Sequence, residues 1–327
     1  MRSIEASFEG TGFRVAIRDG PAPVPKADEV LVRVAGSGLN RADLLQIAGR
    51  YPPPPGEPEI LGLEISGTVV DSGEKVCALL AGGGHAEIAA VPPGQIFPAP
   101  KAMNLVSASG IPEAFITAFL NLAVEGGLAR GGRALVHAGA SGVGLAAIQT
   151  AKYLGASVAA TTRSAGKIEA IRRAGADLAI DTTAGGFEEE IERAWGKDSV
   201  DVVLDPVGAD TFAGNLRLAA TGARVIFLAA MSGAGTQLDI ALLMKKRARL
   251  IGSTLRSRSR AAKAETVSRF RAEILAGFDS GALRVVVDSV FPPERAAEAL
   301  ARMKENRNTG KILIDWTSPP SASSPRA

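Results

Sequence analysis

The sequence predicts an α/β protein with two parts, a β-rich barrel-like domain followed by a doubly wound parallel sheet. Three observations carry this. A short apolar run at Arg133–Val136 feeds into His137-Ala138-Gly139-Ala140-Ser141-Gly142-Val143-Gly144, and apolar residues at helical spacing then run over 145–154 until Gly155. From Phe115 onward, segments of strand type and helix type alternate. The first ~110 residues instead show short alternating runs broken by prolines and glycines, the pattern of a small barrel.

Taken in order, 13–17 and 29–35 read as antiparallel strands around a turn at 21–25. Residues 40–46 form a short helical turn. Tyr51-Pro52-Pro53-Pro54-Pro55-Gly56 is a stiff extended loop, because proline fixes φ and donates nothing to a ladder. Further strands are expected at 64–70, 75–80 and 85–91. In the second part the expected strands are 134–137, 157–161, 178–180, 201–204, 224–227 and Arg249–Gly252. Helices at 143–154, 167–174, 188–194 and 211–220 fall between most of them. A helix at 262–275 leaves the sheet. Strands at 285–287 and 311–314, with a helix at 294–303 between them, return to the first part. The domains are thus 1–114 completed by 260–316, and 115–259. Residues 317–327 are polar and of low complexity, and are expected to be disordered.

The chain has 327 residues, 46% of them hydrophobic, enough for two real cores. A net charge of +3 gives no strong case for nucleic acid or a membrane surface. The one cysteine, Cys77, allows no intrachain disulfide, and the first residues lack the apolar core of a signal peptide. No run of ~18 uninterrupted apolar residues is present to suggest a membrane span. These features predict a cytoplasmic protein.

Strand, glycine-rich turn and helix form an anion-binding corner, since amides at a helix start point outward and the helix dipole favours negative charge. Gly139-x-Ser141-x-x-Gly144 fits the dinucleotide fingerprint with serine at the middle glycine. Serine is small, and its hydroxyl can donate to a phosphate. NAD sites place an Asp or Glu at the end of the second strand for the ribose 2′-OH. Here that stretch reads Thr161-Thr162-Arg163-Ser164-Ala165-Gly166-Lys167, with no carboxylate but with positive charge and hydroxyls. A 2′-phosphate needs such a set, so NADP(H) is expected over NAD(H). Either basic residue alone would read as a solvated surface charge; the pair at this spacing is what points to the phosphate.

Several stretches together resemble the medium-chain dehydrogenase/reductase superfamily in its zinc-free quinone oxidoreductase branch. They are 38–43, 49–52, 61–67, 111–119 and 137–144, then 249–258 and 306–312. The resemblance implies a GroES-like domain beside a Rossmann domain. It places Asn40 and Tyr51 near the nicotinamide, and Thr117 at the adjoining ribose. Ser141, Gly142 and Val143 would hold the pyrophosphate. Thr162, Arg163, Ser164 and Lys167 would hold the adenosine phosphate. Leu228, Met231, Ser253 and Leu255 would line the far wall, closed by Asn308 and Lys311. A homodimer through the late edge strand is implied as well. Two departures stand out. Thr182 replaces the aromatic or His that covers the adenine ribose in many relatives, and 70–76 is shorter than the usual link.

A catalytic zinc needs three protein ligands from Cys, His or carboxylate. Zinc-dependent relatives carry Cys at the position of Asn40 and Gly-His-Glu at Gly62-Leu63-Glu64. One cysteine with two histidines, His85 and His137, cannot supply a usual structural set either. No metal is expected. Hydride transfer would then rest on positioning, which suits a quinone, whose reduced ring carries its own charge. Tyr51 and Asn40 are the candidate catalytic residues, with Tyr51 as donor to an oxyanion or as a ring over the nicotinamide. His137 reads as structural. A small enone is the alternative substrate. The alternative of another class is a nucleic-acid or regulatory binder using the basic residues of 245–263.

Overall fold

The computed structural model describes residues 1–10 and 12–318. The chain divides into two compact units, one made of Met1–Ile116 with the chain from Leu255 onward, the other of Thr117–Thr254. The architecture combines a GroES-like β-rich unit with a Rossmann-type parallel sheet.

The second unit is built on six parallel strands. Their spatial order is Leu178–Asp181, Ser157–Thr162, Arg133–Val136, Val200–Asp205, Ala219–Phe227, Arg249–Gly252. In chain order this is 3-2-1-4-5-6, the doubly wound arrangement, with its switch point between the first and fourth strands. Parallel strands buried on both faces need continuous apolar runs. Leu135, Ala159, Ile180, Val203 and Val225 supply them, and Phe187 and Ile191 of the helix Phe187–Trp195 cover one face. Two elements depart from expectation. The helix expected over 211–220 spans Ala209–Leu218, and Ala219 already begins the next strand. A further helix, Ile240–Lys246, is capped by Asp239, whose carboxylate accepts from the Leu242 amide at 2.8 Å.

The first unit carries a seven-stranded sheet. Its main path runs Val287–Phe291, Lys311–Asp315, Val30–Gly38, Glu64–Val69, Lys75–Leu79, Ile96–Pro98, and Ile88–Val91 pairs beside Val30–Gly38. The two late strands thus join through Lys311–Asp315 against Val30–Gly38. The core gathers Val32, Ile65, Val76, Ile312 and Ile314 with Leu300 and Met303 of the helix Ala296–Lys304.

The expected pairing of 13–17 with 29–35 does not occur. Gly12–Asp19 pairs instead with Arg2–Glu9, in register from Arg2 opposite Asp19 to Glu9 opposite Gly12. A local hairpin closes a far shorter loop than one running through the proline segment 21–25, which cannot donate to a ladder. Phe8 and Phe13 stack at 4.9 Å on this hairpin, with the Lys304 ammonium over both rings. No run of about 18 uninterrupted apolar residues occurs, yet one helical stretch among the described residues has the length and mean composition of a membrane span. The helical stretch Leu105–Glu125 is long and apolar enough by composition, and 78% of its most apolar window is buried inside the protein, as in a core helix. Ser107, Ser109, Glu113, Thr117 and Asn121 interrupt it in sequence and hid that property. Of the tail, Thr317 and Ser318 are held by hydrogen bonds to the Asp315 carboxylate. The rest of the expected disorder, from 319, lies outside the described residues.

Beside the buried His85, Gly62 adopts φ +102°, and a Cβ there would stand 2.4 Å from the His85 amide nitrogen. Both the conformation and the space exclude a side chain. Gly62→Ala is expected to cost more than about 2 kcal/mol in urea unfolding; a loss below 0.5 kcal/mol, on the order of a neutral surface change, would contradict this reading.

Candidate active site

In the Rossmann unit the turn after the first strand has the form an anion needs. Ser141 is the N-cap of the helix Gly142–Tyr153, and its Oγ accepts from the Gly144 amide at 3.0 Å. The Leu145 amide bonds the Ser141 carbonyl. The amides of Gly142 and Val143 have no acceptor within the helix and remain for a ligand. Gly144 is required by space, since a Cβ would lie 2.4 Å from the Ala138 carbonyl oxygen. The Ser141 hydroxyl, read from sequence as a phosphate donor, caps the helix with its oxygen and keeps its hydrogen for a second partner.

At the end of the second strand Thr162 is buried, and its carbonyl accepts from the backbone and hydroxyl of Thr182. Arg163 is exposed just beyond it, and Ser164 and Lys167 are half-buried in the next turn. No carboxylate follows on this segment. The remaining predicted residues of this unit sit mostly at carboxyl ends of the parallel strands. Leu228 and the exposed Met231 follow Ala219–Phe227, and the buried Ser253 follows Arg249–Gly252. The Ser253 Oγ has no partner among the described residues. Ligands of open α/β sheets bind at these ends. Thr117 is buried on a helix, its carbonyl accepting from Asn121 Nδ2 at 2.7 Å. Two orphan amides, an orphan hydroxyl and the exposed charge of Arg163, all along one sheet edge, fit a phosphorylated dinucleotide.

Residues of the GroES-like unit form a second polar cluster. Asn40 caps the helix Arg41–Ile47, with its amide donating to Asp43 Oδ2 at 2.7 Å. Asn40 Nδ2 donates to Gly38 O and to Glu64 Oε1, at 3.1 and 3.0 Å. Lys311 Nζ donates to Leu39 O and Asn40 Oδ1, each at 2.8 Å, and also to Glu64 Oε1. All three ammonium hydrogens are therefore committed, and Asn40 retains one Oδ1 lone pair. A direct ligand contact by Asn40 would use that lone pair; Lys311 acts by holding Asn40. Asn308 Nδ2 bonds Gly310 O at 2.8 Å, and Leu255 is buried.

Glu64, for which sequence reading assigned no role, is fully buried at the centre. Its Oε2 accepts from the Glu113 amide at 2.8 Å. Burial, and next the Glu64 charge, push the Glu113 carboxyl up to about 8, against the pull of Lys311. Arg256, read from sequence as one of a basic run, is buried and clamps Tyr51. Its Nη1 donates to Tyr51 O at 2.9 Å, Nε to Ala81 O at 2.7 Å and Nη2 to Gln46 Oε1 at 2.7 Å, and its guanidinium lies 5.2 Å from the Tyr51 ring. Burial raises the Tyr51 phenol, Glu113 adds to this, and Arg256 opposes it. The basic run forms no single face: Lys246, Arg256 and Lys263 are buried, and Lys246 and Arg256 are bonded inside their own units. A sequence signal for Arg256 existed only in its position beside apolar Leu255.

Two family models match the chain, "Alcohol dehydrogenase GroES-like domain" over residues 26–101 and "Zinc-binding dehydrogenase" over 142–272. The synaptic vesicle membrane protein VAT-1 homologue of Rattus norvegicus is 31% identical over 333 aligned residues, covering 93% of this chain and 82% of that protein. The chain belongs to the medium-chain dehydrogenase/reductase superfamily. Quinone oxidoreductase of Mus musculus, another member, is 27% identical over 96% of the chain and 97% of its own length. A quinone oxidoreductase of Thermus thermophilus, also solved in complex with NADPH, superposes with a TM-score of 0.82 at 29% identity, covering 96% of this chain and 100% of that one. The fold is that of an NAD(P)-binding oxidoreductase.

Part of this superfamily holds a catalytic zinc, and the donors here do not fit one. Among the described residues no three His, Cys, Asp or Glu side chains gather to hold a metal. Where resemblance places the zinc ligands stand Asn40 and Leu63, and the neighbouring Glu64 already takes the Lys311 ammonium. Cys77 is buried, its thiol against Ala108 O, and burial pushes it up, away from the thiolate a metal needs.

Glu113 makes stability pH-dependent. The folded chain keeps its proton up to about pH 8, whereas the unfolded chain releases it above about 4.5. The contribution is whole below pH 4.5 and fades as pH rises toward 8, with a slope of at most about 1.4 kcal/mol per pH unit. Glu113→Gln, neutral throughout, is expected to gain on the wild type between pH 5 and 8 in urea unfolding. A constant difference across that range would refute the raised carboxyl.

Proposed function

We propose that the protein is a zinc-free NADPH-dependent quinone reductase. The observation that carries the cofactor choice is the end of the second strand: no carboxylate for a ribose 2′-OH, with Thr162, Arg163, Ser164 and Lys167 in its place. When bound, NADPH supplies a hydride to an electrophilic acceptor. The amides of Gly142 and Val143, with the helix dipole behind them, hold the pyrophosphate. Arg163 and Lys167 neutralise the 2′-phosphate. The resemblance assigns Asn40 and Tyr51 to the reacting end, with Asn40 pinned by Lys311 and Glu64. Tyr51 keeps its proton at neutral pH, because burial raises the phenol, and so can donate to a developing oxyanion. Arg256 sets the position of the Tyr51 backbone and ring.

A quinone needs no obligatory protein acid, since its reduced ring delocalises the charge. The protonated Tyr51 also supports a second reading, reduction of an enone, whose enolate needs a proton. The exposed edge position of Arg249–Gly252 supports a homodimer formed there, as in the family.

Steady-state NADPH oxidation with a panel of quinones beside an enone tests the reading; no turnover with any quinone would sink it. Replacing Arg163 and Lys167 by Ala should raise KM for NADPH at least tenfold, roughly the worth of one charge-assisted hydrogen bond, and leave KM for NADH nearly unchanged. Equal effects on both cofactors would remove the 2′-phosphate role.

A further inference from the structure

The buried His137 has no part in the mechanism above, yet it joins three segments of the proposed cofactor site. Its Nε2 lies 2.7 Å from Asn215 Oδ1, and its Nδ1 lies 2.9 Å from Thr161 Oγ1. The chain continues inward. Asn215 Nδ2 and Thr211 Oγ1 both donate to Asp205 Oδ2 at 2.6 Å. The amides of Val207 and Gly208 donate to Asp205 Oδ1 at 2.6 and 3.0 Å.

The direction of every bond follows from the carboxylate, which only accepts. Asn215 must turn its Nδ2 to Asp205, so its Oδ1 faces His137 and accepts from Nε2–H. A neutral ring then has Nδ1 as acceptor, and the Thr161 hydroxyl donates to it. Burial, the largest influence, keeps the imidazole neutral, against Asp205 and Glu188, which favour the proton. The ring also packs edge to face with Phe187, their centroids 4.9 Å apart.

We propose that His137 is a positioning residue for the dinucleotide, holding the phosphate turn, the 2′-phosphate end of the second strand and the loop after the fourth strand in one register. The inference rests on the cofactor reading above. His137 leads directly into the phosphate turn, and its amide donates to Leu204 O of the fourth strand at 3.0 Å. Thr161 stands one residue before Thr162 and two before Arg163, and its carbonyl accepts from the Gly139 amide of the turn at 2.7 Å. The Asp205 end orders residues 206–208, whose carbonyls in turn receive the Met231 and Ser232 amides. A shift of Thr161 therefore moves the phosphate-binding side chains beyond it.

Three variants of the full chain test this: Thr161→Val, which removes the donor at constant shape, Thr161→Ser, which restores it, and His137→Phe. NADPH and NADH affinities are measured by titration calorimetry, melting by circular dichroism, and kcat and KM alongside. Thr161→Val is expected to weaken NADPH roughly tenfold and NADH by less than about threefold, raising KM for NADPH more than it lowers kcat. Thr161→Ser should recover wild-type affinity, and His137→Phe should weaken both cofactors. Wild-type affinity in a folded Thr161→Val would overturn the proposal, as would a serine variant as weak as the valine one. If His137→Phe does not fold, the Thr161 pair decides alone. A wild type that binds neither nucleotide removes the cofactor reading itself; variants that bind like a competent wild type remove only the role of His137.

Discussion

Asp205 is a carboxylate buried completely, and among the described residues no cation pairs with it. Removing such a charge from water costs several kcal/mol unless its oxygens are satisfied. Four donors do this, two backbone amides, a hydroxyl and a carboxamide. Hydrogen bonds to charged groups are worth about 1.5–3 kcal/mol each, so four of them are of the size needed to offset the burial. That demand dictates the flip of Asn215, hence the tautomer of His137, hence the hydroxyl direction of Thr161. The bonds that start at this buried charge thereby add side-chain ties between three strand ends that are already joined by ladder and turn backbone hydrogen bonds.

The GroES-like unit solves the same problem with a cation. Glu64 is as deeply buried as Asp205, but Lys311 reaches it, and the ammonium spends its other hydrogens on Leu39 O and Asn40 Oδ1. A buried pair is weak evidence for stability, because desolvation takes back most of the attraction. Its value here is directional. With Nδ2 and Oδ1 of Asn40 both engaged, the carboxamide has one orientation. In this chain the ammonium of Lys311 orders the Asn40 amide. An ammonium whose three hydrogens are all committed has none left to donate to a further group.

The parallel sheet was legible because strand runs, glycine turn and helical spacing each speak a different period, and all agreed. The strand after 218 and the hairpin at the N-terminus were harder. Pairing depends on which loop closes more easily, and the proline segment reads as a turn whether or not strands flank it. The site was legible where chemistry is local: Ser141 and Gly144 in the turn, Arg163 after the second strand. It was obscure where partners come from distant sequence. Glu64, Arg256 and Asp205 act through residues 10 to 210 positions away. Arg256 in particular looked like surface charge because its neighbours Arg258 and Arg260 are basic, whereas its own donors all point inward.

The titration of Glu113 bears on Tyr51 in a way neither residue shows alone. Glu113 raises the phenol only when it is ionised, and below about pH 8 it carries its proton. In that range the charges acting on Tyr51 reduce to Arg256, which favours the phenolate, against burial, which disfavours it. As pH climbs past 8, Glu113 ionises and its negative charge begins to oppose loss of the phenolic proton. The two groups are thus staggered so that the phenol gains protection as hydroxide becomes abundant. A phenol tied to Glu113 in this way keeps its hydrogen into the alkaline range.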